Sequence, residues 1–332
     1  MSNKTPLLVL PKQYLSNAID LVNHAKARVY LTTLSIFADE STEPLIQAVI
    51  AAAKRGLDVH IMADFVTFMY AVQQSKTRRQ VVTGMAMRRA DQLRKRLKRA
   101  GVTFYWLGSY NVPLCVGRTH SKWCVIDDTV FTFGGVNLER EALRRADFML
   151  KVTDTKLANR LVKEQHSIEQ IDNQPKLRYN SRVKLNYGTL LIDGGRVNHS
   201  IIYNRAAELA KMASSIMLVS QYCPNGKLGK IIAQKPNKLY FNRKNLANSR
   251  LNQAMIGLPW LVNRTPNLYR RNRYIHAKFI IFTMPDNSKL ALTGSHNFTS
   301  LGSFFGTREI ALETTDKTII SQLERFVKTD IA

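Results

Sequence analysis

Two histidine–lysine pairs stand out by residue type and spacing. His120 and Lys122 lie in Thr119-His120-Ser121-Lys122-Trp123-Cys124-Val125-Ile126-Asp127, and His276 and Lys278 in Ile275-His276-Ala277-Lys278-Phe279-Ile280-Ile281-Phe282. In both, the partners are two residues apart just ahead of an apolar, β-prone run, so both side chains leave one face of an extended chain. Gly134-Gly135-Val136-Asn137 closes the first run and Gly294-Ser295-His296-Asn297 the second, so that Asn137 follows Lys122 by 15 residues and Asn297 follows Lys278 by 19. A lone His-x-Lys before a hydrophobic strand is commonplace. The recurrence of all its parts is not.

The chemistry that suits these groups is displacement at a phosphodiester. It needs a nucleophile in line with the leaving oxygen, a proton for that oxygen, and positive charge on the non-bridging oxygens. Two imidazoles divide the first two tasks, one attacking as free base to form a phosphohistidine and the other donating as imidazolium; two lysines hold the charge. No His, Cys and carboxylate cluster has metal-ligand spacing, so neither a metal nor another cofactor is expected. His24, His60, His166 and His199 sit in unpatterned contexts, and His296 adjoins the second signature.

The paired signature resembles that of the phospholipase D superfamily, a duplicated His-x-Lys-x4-Asp with a trailing Gly-Gly/Ser-x-Asn. The first copy fits throughout with His120, Lys122, Asp127 and Asn137; the second fits with His276, Lys278 and Asn297 but has Thr283 where the Asp would stand. The resemblance implies His120 as nucleophile and His276 as acid, or the reverse. An imidazole needs a partner on its second nitrogen to hold the right tautomer. The resemblance places a carboxylate for this on the strand after the Asn, where Asp147 and Glu309 stand, 27 and 33 residues beyond His120 and His276. Asn137 and Asn297 are expected to bond phosphate oxygens or the opposite half.

The elements that must carry these groups repeat. An amphipathic helix over 13–27, a strand over 29–37, a helix after Ser41-Thr42 ended by Gly56, and a strand over 58–63 make a β-α-β unit. A helix over 199–212 and a strand over 215–222 echo it. The expected architecture is α/β: two similar phospholipase D-like α/β/α halves packed about a pseudo-twofold, each with a mixed, mostly parallel sheet flanked by helices. The expected boundaries are 1–171, a join at 172–182, and 183–332.

Forty-nine Lys and Arg against twenty-four Asp and Glu leave a net charge of +25, so a polyanionic partner is expected, either an acidic lipid surface or nucleic acid. From 65 to 100 the chain reads as a very basic helix, with Arg88, Arg89, Arg94, Lys95, Arg96, Lys98 and Arg99 around Asp91 and with Ala90, Leu93 and Leu97 beneath. Leu258-Pro259-Trp260-Leu261-Val262 is an apolar stretch suited to a headgroup region or a buried wall. Cys115, Cys124 and Cys223 are an odd number without ligand spacing, which favours a reducing compartment. There is no signal-peptide core and no run of about 18 apolar residues.

Both halves in one chain resemble the lipid-synthesis members, of cardiolipin synthase and phosphatidylserine or phosphatidylglycerophosphate synthase type, more than small nucleases that dimerise. The resemblance thus implies a monomeric phosphatidyltransferase, cytoplasmic and peripheral to the inner membrane face, acting on CDP-diacylglycerol or phosphatidylglycerol. A phospholipase D-type hydrolase or metal-independent nuclease is the alternative.

Overall fold

The computed structural model describes residues 5–67, 79–108, 117–247, 252–257 and 266–332, with backbone alone for 79–87. Residues 68–78 of the expected basic helix, Cys115 and the Leu258–Val262 stretch lie outside the described residues. Two seven-stranded sheets divide the chain. The first joins β1 (Leu7–Val9), β2 (Arg28–Thr33), β3 (Asp58–Asp64), β4 (Thr103–Leu107), β5 (Trp123–Ile126), β6 (Thr129–Thr132) and β7 (Met149–Thr153), in the order β1-β7-β6-β5-β2-β3-β4. The second joins β8 (Ser181–Leu185), β9 (Gly188–Gly194), β10 (Ser215–Ser220), β11 (Asn237–Phe241), β12 (Phe279–Thr283), β13 (Lys289–Gly294) and β14 (Arg308–Thr314), in the order β11-β10-β12-β13-β14-β9-β8.

The two orders superimpose over six strands: β3-β2-β5-β6-β7-β1 corresponds to β11-β10-β12-β13-β14-β9. The first half then adds β4 beside β3, and the second adds β8 beside β9. The sheets are mixed, but the expectation that they are mostly parallel is corrected. Among the described strands only β2–β3, β3–β4 and β10–β11 pair in parallel. The reason is local. The residues after each His-x-Lys strand turn back at once, through Asp127-Asp128 and through 284–288, and a tight turn can only make an antiparallel neighbour. After α1 (Pro11–His24), parallel pairing survives only where a helix intervenes: α2 (Glu43–Lys54) links β2 to β3, α3 (Arg79–Arg99) stands between β3 and β4, and a helix over Gly226–Ala233 links β10 to β11.

Alternation along the signature strands sets the layers. Trp123 and Val125 of β5, with Phe279 and Ile281 of β12, enter one core between the sheets. Cys124 and Ile126 face an outer core shared with α1 and α2, and Ile280 and Phe282 face another shared with α5 (Ile201–Met212). The middle core is completed by α4 (Thr155–Ile171), through Leu157, Ala158, Leu161 and Ile168, and near the C-terminus by Ile319, Ile320, Leu323 and Phe326. Both faces of each central strand are thereby buried, which is why these strands read as unbroken apolar runs.

Residues 172–182, read as the join, hold two buried charged side chains. Asp172 accepts from Gly108 N at 2.7 Å and from Arg308 Nη1 at 2.8 Å, and Arg178 donates to Gly195 O and Asp172 O.

Candidate active site

The signature residues sit immediately ahead of β5 and β12, where the chain leaves its own sheet and pairs with the other. Thr119 bridges Arg308 and Ala146 bridges Ile275, both in parallel sense. His120 N and Ser121 N donate to Arg308 O at 2.8 and 3.1 Å; His276 N and Ala277 N donate to Ala146 O at 2.9 and 3.0 Å. Four backbone bonds of matching pattern thus stitch the approach to each histidine onto the strand leading to the other half's carboxylate. The outcome is a crossed pairing. His276 Nδ1 lies 2.7 Å from Asp147 Oδ2, and His120 Nδ1 lies 3.2 Å from Glu309 Oε1.

Carboxylates only accept, so each Nδ1 carries hydrogen and each Nε2 is left with its lone pair. Asp147 is itself held by Gly135 N at 3.2 Å and Phe148 N at 2.9 Å. Glu309 receives the Ser295 hydroxyl, which in turn accepts from Ile310 N at 3.0 Å. Glycine at 135 is obligatory, since a Cβ there would stand 2.7 Å from Asp147 Oδ2 and 2.8 Å from His276 O.

Lys122 and Lys278 are buried, and each ammonium donates to the carbonyl of its own histidine, at 2.6 Å for Lys122. Burying an ammonium costs several kcal/mol unless it is matched. Here two lysines meet two carboxylates, and with both imidazoles neutral the set carries no net charge. Burial pushes Lys122 down to about 8 despite Glu309 and Asp147, and lowers Lys278 despite Asp147. Burial also lowers both imidazoles, His276 well below its usual value, with the neighbouring ammoniums adding to the effect. Glu309 is held down at about 2: burial works against this, but His120, His296 and Lys122 outweigh it. Burial raises Asp147 against Lys278. Lys122 is among the charges that His276 feels, and Lys278 among those that His120 feels, so each imidazole lies within electrostatic reach of the other half's ammonium.

Asn137 and Asn297 are buried, and the side-chain oxygen of each lacks a hydrogen-bond partner among the described residues. Asp127 is not brought to the site. It sits at the β5–β6 turn with φ 50°, and its carboxylate accepts from the backbone of Lys26, Ala27 and Arg28 at 2.9, 2.9 and 3.1 Å. Burial would raise its pKa, yet these donors together hold it below the usual carboxylate value.

Sequence reading missed the residues that aim the signature. Asp64, at the end of β3, accepts from Thr119 N at 2.6 Å and Arg118 Nη1 at 3.1 Å. Asn242, just beyond the matching β11, exchanges two bonds of 2.8 Å with the backbone of Ile275. The available signal was a polar residue at the C-terminal end of the parallel strand that follows β2 and β10. His296 is also buried; its Nδ1 accepts from Phe298 N at 2.8 Å, its Nε2 is without a partner among the described residues, and burial drops it to about 4.

Beyond the site, α3 buries Ala90, Leu93 and Leu97 and exposes Arg88, Arg89, Lys95, Lys98 and Arg99. A cavity of about 220 Å³ lies against this helix, lined by Phe37, Asp39, Arg89, Leu93, Glu139 and Arg140, and contains none of the signature residues. No described helix is long and apolar enough to cross a membrane.

Residues 18–168 match the family model described as cardiolipin synthase, phospholipase D-like domain. No curated protein matches the sequence. Among solved structures, phosphatidylserine synthase from Haemophilus influenzae Rd KW20 is similar with a TM-score of 0.76, over 98% of this chain and 87% of that one, at 17% identity. Polyphosphate kinase from Porphyromonas gingivalis is similar with a TM-score of 0.60, over 97% of this chain and 49% of that one, at 14% identity. At such identities these likenesses speak to the fold, which both share across nearly all of this chain.

Proposed function

We propose that the chain, whose residues 18–168 match a phospholipase D-like family model, is a phospholipase D-superfamily phosphatidyltransferase of phospholipid synthesis working through a phosphohistidine. The observation that carries the mechanism is the crossed pairing of His120 with Glu309 and His276 with Asp147 around two buried lysines. His120, at 19% side-chain exposure against 5% for His276, is the more open imidazole and is neutral at pH 7. Its Nε2 lone pair attacks phosphorus, and the leaving oxygen takes a proton from His276 Nε2.

That proton arrives with the substrate. The site without substrate is balanced at zero, so a phosphodiester adds one uncompensated negative charge, and a proton on His276 restores the balance. Lys122 and Lys278 hold the non-bridging oxygens as charge builds on them, and the Asn137 and Asn297 amides add hydrogen bonds there. In the second half-reaction His276, now neutral, takes the proton of an acceptor alcohol. The alcohol oxygen then displaces His120 from phosphorus, which leaves His276 protonated as it was in the substrate complex, and this proton is released to solvent as the phosphodiester product departs.

A phosphatidyl group as the moiety transferred is supported by the family model's description and by the phosphatidylserine synthase likeness. The net charge of +25 and the exposed cations of α3 suit a peripheral position on an acidic lipid surface. The same cations favour a second reading, a metal-independent nuclease whose basic helix tracks a phosphate backbone. One experiment separates them: the purified chain is incubated with CDP-diacylglycerol or phosphatidylglycerol and candidate alcohols, and in parallel with single- and double-stranded nucleic acid in chelator. Phospholipid products by mass that vanish in His120→Ala uphold the transferase. Chelator-resistant cutting of nucleic acid, also lost in His120→Ala and without lipid product, replaces it with the nuclease.

A further inference from the structure

Away from the signature, β3 and α4 bring together His60, His166 and Glu169. One ligand atom from each lies within 4.8 Å of the others, and all three residues are half-buried. Only the spacing of His166 and Glu169, three residues apart on one helix face, was visible in the chain; His60 is contributed by a strand.

The hydrogen-bond partners decide which ring nitrogens point inward. His60 Nε2 lies 3.0 Å from Asp58 Oδ1, an acceptor only, so Nε2 holds the hydrogen and Nδ1 the lone pair. The single hydroxyl hydrogen of Tyr30 goes to Asp58 Oδ2, so at 3.1 Å from His166 Nε2 the Tyr30 oxygen accepts, and His166 too keeps its lone pair on Nδ1. Both Nδ1 atoms then face Glu169, His60 against Oε1 and His166 against Oε2, each at 3.7 Å. That is beyond a hydrogen bond. His60 Nδ1 and Glu169 Oε1 are buried with no hydrogen-bond partner among the described residues.

Lone pairs converging without a hydrogen between them repel unless a cation stands among them. Two ligands of a tetrahedral zinc ion sit about 3.4 Å apart, close to the 3.7 Å between each Nδ1 and Glu169. Asp58 has the place of the outer carboxylate that orients metal-binding histidines, directly for His60 and through Tyr30 for His166. Stacking of Tyr30 on His60, with ring centroids 4.6 Å apart and planes at 6°, fixes the arrangement further.

We propose that His60 Nδ1, His166 Nδ1 and the Glu169 carboxylate bind one divalent cation of zinc type, separate from the phosphodiester site. The fourth position opens to solvent beside His166, whose side chain is 42% exposed. The ion would clamp β3 to α4. These same elements carry Asp64, which holds Thr119, and Gln165, which accepts from Trp123 Nε1 at 3.0 Å, so the clamp braces the approach to His120.

The test titrates zinc sulfate into the full-length chain after chelator treatment and dialysis, reading stoichiometry by competition with a chromophoric chelator and the melting temperature alongside. One equivalent is expected, with a rise in melting temperature. Affinity should fall at least about 100-fold in Glu169→Gln and in the half-exposed His166→Ala, and about 10- to 100-fold in Asp58→Asn. Unchanged zinc binding in the His120→Ala, His276→Ala double variant keeps the site apart from the signature. The proposal is overturned by a folded wild type that takes up no zinc, leaving protonated histidines to pair with Glu169, or by binding that survives Glu169→Gln and His166→Ala. Binding that disappears with His120 and His276 overturns it equally.

Discussion

The two halves share six strands in one order, and they differ where their signatures are anchored. In the first, the Asp127 carboxylate collects three backbone N–H groups of the segment entering β2. In the second, Thr283 occupies that place, and its backbone carbonyl accepts Ser214 N at 2.8 Å, the residue just before the equivalent β10. The aspartate of the signature is therefore a splice between a turn and an incoming strand, a job that a main-chain oxygen does as well. The orienting acids differ in the same spirit: the short Asp147 abuts Gly135, and the longer Glu309 is met by the Ser295 hydroxyl. What the halves cannot vary is the imidazole, the ammonium and the crossing.

That contrast can be broken most sharply at the histidines. His120→Ala is expected to abolish phosphoenzyme formation, whereas His276→Ala should slow turnover about 10²- to 10⁴-fold yet still form phosphohistidine from a substrate with a good leaving group. Acid-quench capture of labelled protein reads this directly, and label appearing only in His120→Ala would exchange the two roles.

Next come the acids. Asp147→Asn and Glu309→Gln should each cost about 10²- to 10⁴-fold in kcat, by freeing the wrong tautomer, with circular dichroism unchanged. Because the pairing is crossed, Asp147→Asn should add little to a His276→Ala background and Glu309→Gln little to His120→Ala. Coupling of Asp147 to His120 instead would sink the crossed arrangement.

A smaller effect comes from pH. Lys122, pushed to about 8, loses its charge above that value, so kcat/KM should fall about tenfold per pH unit beyond it, and Lys122→Arg should shift the fall upward. Stability moves the other way. Between about 8 and the ordinary lysine value of 10.5 the unfolded chain binds the proton that the folded chain has released, so this residue's contribution to stability rises with pH over that window. Urea melts of the wild type against Lys122→Met at pH 7 and pH 9.5 measure it.

The smallest effect on turnover is expected at the splice itself. Asp127→Ala should lower stability by about 1.5–3 kcal/mol, as lost bonds to a charged acceptor do, while leaving kcat within about twofold. Thr283→Ala should do neither, in the same urea melts.

Much of this was legible in the chain because alternation and spacing are local. The apolar runs after Lys122 and Lys278 announced strands, and the helix over α3 showed its apolar Ala90, Leu93 and Leu97 beneath its cations. The family resemblance pointed to Asp147 and Glu309. Spacing could not say which imidazole each one meets, since that depends on where two sheets cross and not on distance along the chain. Parallel strands were overestimated because β-α-β units catch the eye more than the tight turn at Asp127-Asp128. Asp64 and Asn242 went unseen for the same reason as the crossing: their partners are backbone groups far away in sequence.

The stitching of Thr119 to Arg308 and of Ala146 to Ile275 has an implication for how activity fails. Neither half by itself owns a correctly protonated ring, because each lends its acid and borrows the other's. Separated fragments would be inert one by one and regain turnover only on reassociation, and a slip at the shared boundary would silence both rings together instead of one.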